Sequence, residues 1–331
     1  MSSSHAIPTI DIGPFLDGDA AGKRAIAAEV AEVCARVGFL IISGHRFPDE
    51  LLARAKRELF AFFDLPDATK NRWHPTGPSK QRGYHGFATR GLAYTLGQQT
   101  PPDLRETVFL GPIDDHRGYY ADMPEAATSY APNTIPTEPA GIDATLLQLY
   151  RAYERLAADM LRIFAAALDL PDGYFADTLT RHFSIMSCHH YPPLTEAPKP
   201  GQLRTGAHTD FGAMTILTAT DAEGGLEAQR PDGTWTRVQP RAGEFVVNLG
   251  DMMARWTNDR WVSTLHRVAN PPLHRAQSRR LSLGMFVHPN YDQRIACIPT
   301  CLPPGAVPRH PPITAGEHIK RKIERSHETA A

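Results

Sequence analysis

Cysteine is scarce in this chain, and its four residues (Cys34, Cys188, Cys297, Cys301) are scattered. That excludes a disulfide framework, and Cys297 and Cys301 lack the C-x2-C spacing of a zinc knuckle. Reduced thiols are expected, as in a cytoplasmic protein. An excess charge is missing too: 35 Lys and Arg against 36 Asp and Glu leave a net −1. No basic field therefore exists to hold nucleic acid or an anionic membrane. The densest basic cluster, Lys320-Arg321-Lys322 with Arg325, is broken by Ile323 and Glu324 and reads as the solvated face of a terminal helix. No apolar run approaches membrane-spanning length, and Met1–His5 lacks the basic flank and apolar run of a secretion signal. These absences leave a cytoplasmic protein whose partner is a small molecule, with no obligate protein partner evident.

What is present is enough apolar residue, 42% of 331, for a large core. The first half reads mainly as helix. Ile26, Val30, Val33 and Val37 recur at helical spacing and stop at Gly38. A second amphipathic helix carries Leu51, Leu52, Ala55, Leu59 and Phe62. A third, long one carries Leu146, Leu149, Tyr153, Leu156, Met160, Ile163 and Ala167. Short strands are expected at Ile7–Ile12 and Phe39–Ile42. Between Trp73 and Pro139 the chain is rich in Gly and Pro and without period, which predicts a functional loop region, mobile in part and able to act as a lid.

From Ser184 the texture changes to short β-rich runs split by Gly, Pro and Asp, at Ile185–Tyr191, Ala213–Ala219, Trp235–Val238, Phe245–Leu249 and Leu281–Val287. Many short strands with turns between them predict a jelly roll, the double-stranded β-helix of cupin-like folds. Thr314-Ala315-Gly316-Glu317 is a capping box that opens a last helix. No polar linker divides the chain. It reads as one α+β unit: residues 1–183 mainly helical and packed on the core, 184–313 the jelly-roll core, 314–331 the C-terminal helix.

The chemistry concentrates at Ala207-His208-Thr209-Asp210-Phe211-Gly212. If His208 and Asp210 lie near the start of the strand that follows, their side chains share one face, and an imidazole and a carboxylate converge. His266, in Thr264-Leu265-His266-Arg267-Val268, can supply a third ligand. Two His and one carboxylate on one face of an octahedral ion form the facial triad of non-haem Fe(II) oxygenases. One H-x-D is expected by chance in such a composition, so the motif carries weight only with its company. Taken alone, His208 is equally a hydrogen-bonded strand residue and Asp210 a turn former before Gly212.

That company is extensive. Tyr191-Pro192-Pro193 precedes the motif and Gly225-Leu226 follows it. Further on come Phe245-Val246-Val247-Asn248-Leu249-Gly250-Asp251, Arg280-Leu281-Ser282 and Phe286-Val287-His288-Pro289. Ile7-Pro8-Thr9-Ile10-Asp11, Gly38-Phe39-Leu40 and Phe62-Phe63-Asp64-Leu65-Pro66 occupy the N-terminal part. In this order the chain resembles the isopenicillin N synthase-like 2-oxoglutarate/Fe(II) oxygenases, bacterial branch, over nearly its whole length. The resemblance implies that His208, Asp210 and His266 hold Fe(II). It implies that Arg280 and Ser282, helped by Tyr191, bind the distal carboxylate of 2-oxoglutarate. An Arg and a Ser two apart on a strand share a face, which suits a charge-assisted grip on a carboxylate. Arg279 must then point the other way.

The implied reaction is oxidation, by default hydroxylation, of a small organic substrate with O2, releasing succinate and CO2. Two alternatives stay open: a keto-acid-independent oxidase of the isopenicillin N synthase type, and a non-catalytic binding protein on the same fold. His189 stands where the family often has Asn and reads as a hydrogen-bonding pocket residue, with a further metal-capable imidazole the other reading. The stretch between His266 and Arg280 is longer than the family's, which leaves Arg267 and Arg275 as fallback anchors. Tyr84, Phe109, Phe211 and Phe286 are candidates to line the substrate pocket. Arg105 and Glu106 read as a structural pair, Asp251–Trp256 as a short helix beneath the iron, and Arg204 has no role derivable from sequence.

Overall fold

The computed structural model describes residues 7–92, 100–220, 222 and 224–328. The chain enters through β1 (Thr9–Asp11) and a short α1 (Gly13–Leu16), then α2 (Ala20–Arg36), β2 (Phe39–Ser43), α3 (Asp49–Phe63) and α4 (Asp67–Lys70). The Asp19 carboxylate caps α2 by accepting from Ala21 and Gly22 N–H groups. Gly38 ends it at φ +63°, and a Cβ there would lie 2.1 Å from the Val262 carbonyl oxygen, so the turn into β2 admits only glycine. Next come β3 (Gly83–His85), β4 (Glu106–Leu110) and the long α5 (Ile142–Ala167). The buried stripe of α5 carries the residues its spacing predicted, and Tyr153 Oη donates to the Leu283 carbonyl at 2.8 Å, pinning the helix to the sheet beneath it.

The second half supplies β5 (Ile185–Tyr191), β6 (Thr205–His208), β7 (Met214–Ala219), β8 (Gly225–Gln229), β9 (Trp235–Arg237) and β10 (Phe245–Leu249). It continues with α6 (Asp251–Trp256), β11 (His266–Ala269), β12 (Arg280–Val287), β13 (Arg294–Ile295), β14 (Ile313–Thr314) and α7 (Ala315–Glu328). The strands form a large sheet in the order β1-β2-β10-β7-β12-β5-β4-β3 and a small one in the order β6-β11-β8-β9. This is the α+β jelly roll expected. Half of the expected capping box forms, with the Glu317 N–H donating to Thr314 Oγ1 at 3.2 Å.

One expectation needs correcting. The Trp73–Pro139 stretch is not merely loop, because β4 pairs onto β5 and β3 onto β4, extending the large sheet. Glu106-Thr107-Val108-Phe109-Leu110 is buried at every position, so no alternation announces a strand. Farther along the same stretch, buried Arg82 donates to the carbonyls of Ala131 and Ser129 and holds that segment down. Residues 93–99, part of the expected lid, lie outside the described residues, as does the Met1–His5 start. Among the described residues no helix is long and apolar enough to cross a membrane. All four cysteines are free.

The large sheet has two buried faces. Along β5, Met186 and Cys188 pack into the helix-side core, whereas Ser187, His189 and Tyr191 face a cavity between the two sheets. The same alternation along β12 sends Leu281 and Leu283 to the helices and Arg280, Ser282, Gly284 and Phe286 to the cavity.

Candidate metal centre and its cavity

His208 is the last residue of β6 and lies directly opposite His266, the first of β11, in antiparallel register. Asp210 sits in the turn leaving β6. The expected placement of His208 and Asp210 at the start of one strand is therefore wrong. The strand that follows, β7, begins only at Met214 and belongs to the other sheet. Convergence comes from strand pairing and from the turn, not from one strand's pleat. Backbone contacts build that turn: the N–H groups of Asp251 and Met252, unsatisfied at the start of α6, donate to the carbonyls of Asp210 (2.7 Å) and Gly212 (3.1 Å). The chains approach so closely that a Cβ on Gly250 would sit 2.2 Å from the Gly212 oxygen, and one on Gly212 2.4 Å from the His288 ring. Asp251 ties the turn outward as well, accepting from Thr209 Oγ1 and pairing with Lys322 of α7.

Each of the three side chains is oriented by its other polar atom. His208 Nδ1–H donates to the Gly206 carbonyl at 2.8 Å and His266 Nδ1–H to the Thr264 carbonyl at 3.0 Å, so both Nε2 lone pairs turn inward. Asp210 Oδ2 accepts from Thr215 Oγ1 (2.5 Å) and Asn248 Nδ2 (2.7 Å), which leaves Oδ1 facing the imidazoles at 3.7 and 3.8 Å from their Nε2 atoms. Among the described residues these three form the His/Cys/Asp/Glu group able to hold a metal, with ligand atoms within 4.8 Å of one another. Burial, and then the neighbouring His266, push the His208 imidazole down to about 3, so it is neutral. Burial alone would raise the Asp210 carboxyl. The adjacent imidazoles and the Thr215 and Asn248 hydrogen bonds outweigh it and hold the group below the usual carboxylate range. Two imidazoles and one carboxylate are the donor set that Fe(II) takes, with ligand positions left over for other molecules.

Arg280, Ser282 and Tyr191 stand together on the cavity wall, Arg280 opposite Tyr191 in register. Arg279 points the other way: Nε donates to His190 Nε2 at 2.7 Å and the guanidinium pairs with Asp64. The fallbacks lie elsewhere. Arg267 pairs with Glu227 and stacks on Trp235, and Arg275 is exposed in the turn before β12. Arg204, without a role in the sequence, is fully buried, covers the Tyr191 ring at 5.8 Å and donates to the Ser278 carbonyl. It braces the wall that carries Arg280.

The remaining candidates divide. His189 lines the cavity beside Thr107 Oγ1, 2.9 Å from its Nδ1, and lies outside the metal-capable group. Phe286 lines the cavity, and Phe109 stands behind His189, ring centroids 5.8 Å apart. Tyr84 does not reach it. Paired opposite Val108, it faces the helices and donates to Glu106 Oε2 at 2.5 Å. Phe211 is not on the cavity wall either; its carbonyl accepts from His318 of α7. Arg105 and Glu106 are not paired with each other. Consecutive in the chain, they face opposite sides of the sheet, Glu106 toward Lys70, Tyr84 and His190, Arg105 into the cavity. Arg105 is the charged cavity residue whose place sequence reasoning missed, and its position one residue before β4 is the pointer that β4, once known, would have given.

Comparison with known proteins agrees with this geometry. Residues 182–289 match the model of the 2OG-Fe(II) oxygenase superfamily, and residues 7–138 that described as "non-haem dioxygenase in morphine synthesis N-terminal". The chain is 33% identical to the 2-oxoglutarate-Fe(II) type oxidoreductase hxnY of Emericella nidulans, over 97% of this chain and 90% of that one. It is 29% identical to homoarginine-6-hydroxylase 2-ODD-233 of Oryza sativa, over 97% of this chain and 98% of that one. Among solved structures, that of a full-length Neurospora crassa protein in complex with alpha-KG superposes with a TM-score of 0.84 at 26% identity, covering 98% of each chain. These relatives are fungal and plant, so the expected bacterial branch finds no support.

Proposed function

The chain belongs to the 2OG-Fe(II) oxygenase superfamily and is a non-haem Fe(II)/2-oxoglutarate-dependent oxidoreductase, and from that premise we propose how its own residues divide the work. His208, Asp210 and His266 hold Fe(II). Arg280 and Ser282, with Tyr191, take the distal carboxylate of 2-oxoglutarate. Bound Fe(II), with 2-oxoglutarate and O2, supplies the oxidising power that converts the keto acid to succinate and CO2 and hydroxylates a C–H bond. The protein's part is to orient, to exclude water and to keep the ligands in their donor forms. Asn248, Thr215 and the Gly206 and Thr264 carbonyls do the last. Leu217, Leu226, Val268 and Phe286 keep the cavity apolar.

The observation that carries this reading is the inward turn of two Nε2 atoms and Asp210 Oδ1 next to a wall bearing Arg280. The keto-acid-independent oxidase and the non-catalytic binder are set aside, because relatives are named for 2-oxoglutarate and Fe(II) and the ligand set is complete. We place the chain in the isopenicillin N synthase-like group on its motif order. We also read it as one unit, supported by β1–β4 completing the sheet built by the second half, and as a cytoplasmic protein acting on a small molecule. The test is direct: iron-loaded protein with 2-oxoglutarate and O2 should release succinate slowly without any other substrate, and protein that binds iron but never forms succinate ends the proposal.

A further inference from the structure

The cavity holds a second cationic residue outside those assigned above to the metal and the keto acid. Arg105 reaches in beside His189, with Nη1 3.2 Å from both ring nitrogens and Nη2 3.3 Å from Asp103 Oδ2. Asp103 is anchored in turn, its Oδ1 accepting from the Gly206 N–H at 2.9 Å. Burial first, and then the positive field of Arg105 and Arg90, hold His189 far below its ordinary pKa, so the imidazole adds no charge of its own.

The donors of Arg105 then decide what fits. Arg105 meets Asp103 through Nη2 alone, at 3.3 Å. A buried charge is costly unless it is matched, and Asp103 and His189 occupy only part of the Arg105 donor fork. Elsewhere the cavity lining includes Leu92, Leu217 and Phe286, suited to an apolar body. We propose that Arg105 is a specificity-determining residue that receives the carboxylate of the primary substrate, a small and otherwise apolar monocarboxylic acid. This rests on the reading of Arg280 as the co-substrate's anchor.

The test uses iron-loaded protein saturated with 2-oxoglutarate without oxygen, and a panel of aliphatic and aromatic monocarboxylic acids, each beside its primary amide. Binding is read by calorimetry and by perturbation of the Fe(II)–2-oxoglutarate charge-transfer absorption. At least one acid should bind about 10- to 150-fold tighter than its amide, the range of a charge-assisted contact. Arg105→Leu should erase that preference and Arg105→Lys retain part of it. Because Arg105→Leu strands Asp103, the double variant Arg105→Leu/Asp103→Asn is measured beside it and should show the same loss. The proposal falls if acids show no advantage anywhere in the panel, including by failing to bind, or if the preference survives both variants. It falls equally if both variants lose affinity for 2-oxoglutarate to the same degree, since the carboxylate at Arg105 is then the co-substrate's. A protein that never develops the charge-transfer absorption fails the earlier reading; one that develops it and ignores the difference between acid and amide fails this one alone.

Discussion

Asn248 donates from Nδ2 to Asp210 Oδ2 at 2.7 Å, across the two sheet-derived halves of the metal centre. With Thr215 it fixes which carboxylate oxygen is free to bind metal. Replacing such an orienting partner lowers metal affinity by about 10- to 100-fold. Asn248→Leu and Thr215→Val should each do so by an amount in that range, as measured by Fe(II) titration under nitrogen. Unchanged affinity in both would mean that Asp210 is positioned by the backbone turn alone.

His208→Ala, Asp210→Ala and His266→Ala should each abolish iron retention on desalting while the far-ultraviolet circular dichroism stays native. The core is built from apolar sheet and helix contacts and does not depend on an ion. His189→Ala should retain iron. Iron lost from His189→Ala as completely as from the others would make the ligand set wrong.

Arg280 and Arg279 separate co-substrate binding from stability. Arg280→Ala removes a contact worth about 1.5–3 kcal/mol, so affinity for 2-oxoglutarate should fall about 10- to 150-fold. Arg279→Ala should leave that affinity alone and lower the urea midpoint, because its partners are Asp64 and His190 on the helix side. The reverse pattern would mean that Arg279 rather than Arg280 anchors the keto acid.

Glu106 is the centre of a buried network, accepting from Lys70 Nζ (2.7 Å), Tyr84 Oη (2.5 Å) and His190 Nδ1 (2.7 Å). Glu106→Gln removes the buried anionic partner of Lys70 and leaves it only the exposed Asp67 carboxylate at 3.1 Å, and breaking a buried pair costs about 3–5 kcal/mol. Burial acts to raise the Glu106 carboxyl, but the His190, Lys70 and Tyr84 hydrogen bonds outweigh it and hold it below the ordinary carboxylate range. With its folded value depressed, its stabilisation is full above the unfolded-state value and is lost as pH falls through the folded one. The gap between wild type and Glu106→Gln in denaturant unfolding should therefore close in acid. A gap independent of pH would show that the carboxylate's charge is not what stabilises this network.

Much of this was legible without coordinates because it depends on local periodicity. The stripes of α2, α3 and α5 follow from a repeat of 3.6 residues, the opposition of Arg279 and Arg280 from a repeat of 2, and the strands β5, β7, β10 and β12 from short β-rich runs bounded by Gly, Pro and Asp. The order of motifs, from Ile7-Pro8 to Phe286-Val287-His288-Pro289, was enough to pick out His208, Asp210 and His266. What no local pattern could supply is which segments pair. The pairing of β4 onto β5 puts Arg105 in the cavity and Tyr84 behind it, and the pairing of β6 with β11 sets His208 opposite His266. The Gly212–Gly250 approach swings Asp210 between the two sheets, and the packing of α7 turns Phe211 into a backbone contact for His318. Each of these joins residues tens to hundreds of positions apart, held by backbone hydrogen bonds and close packing that exist only once both partners are in place.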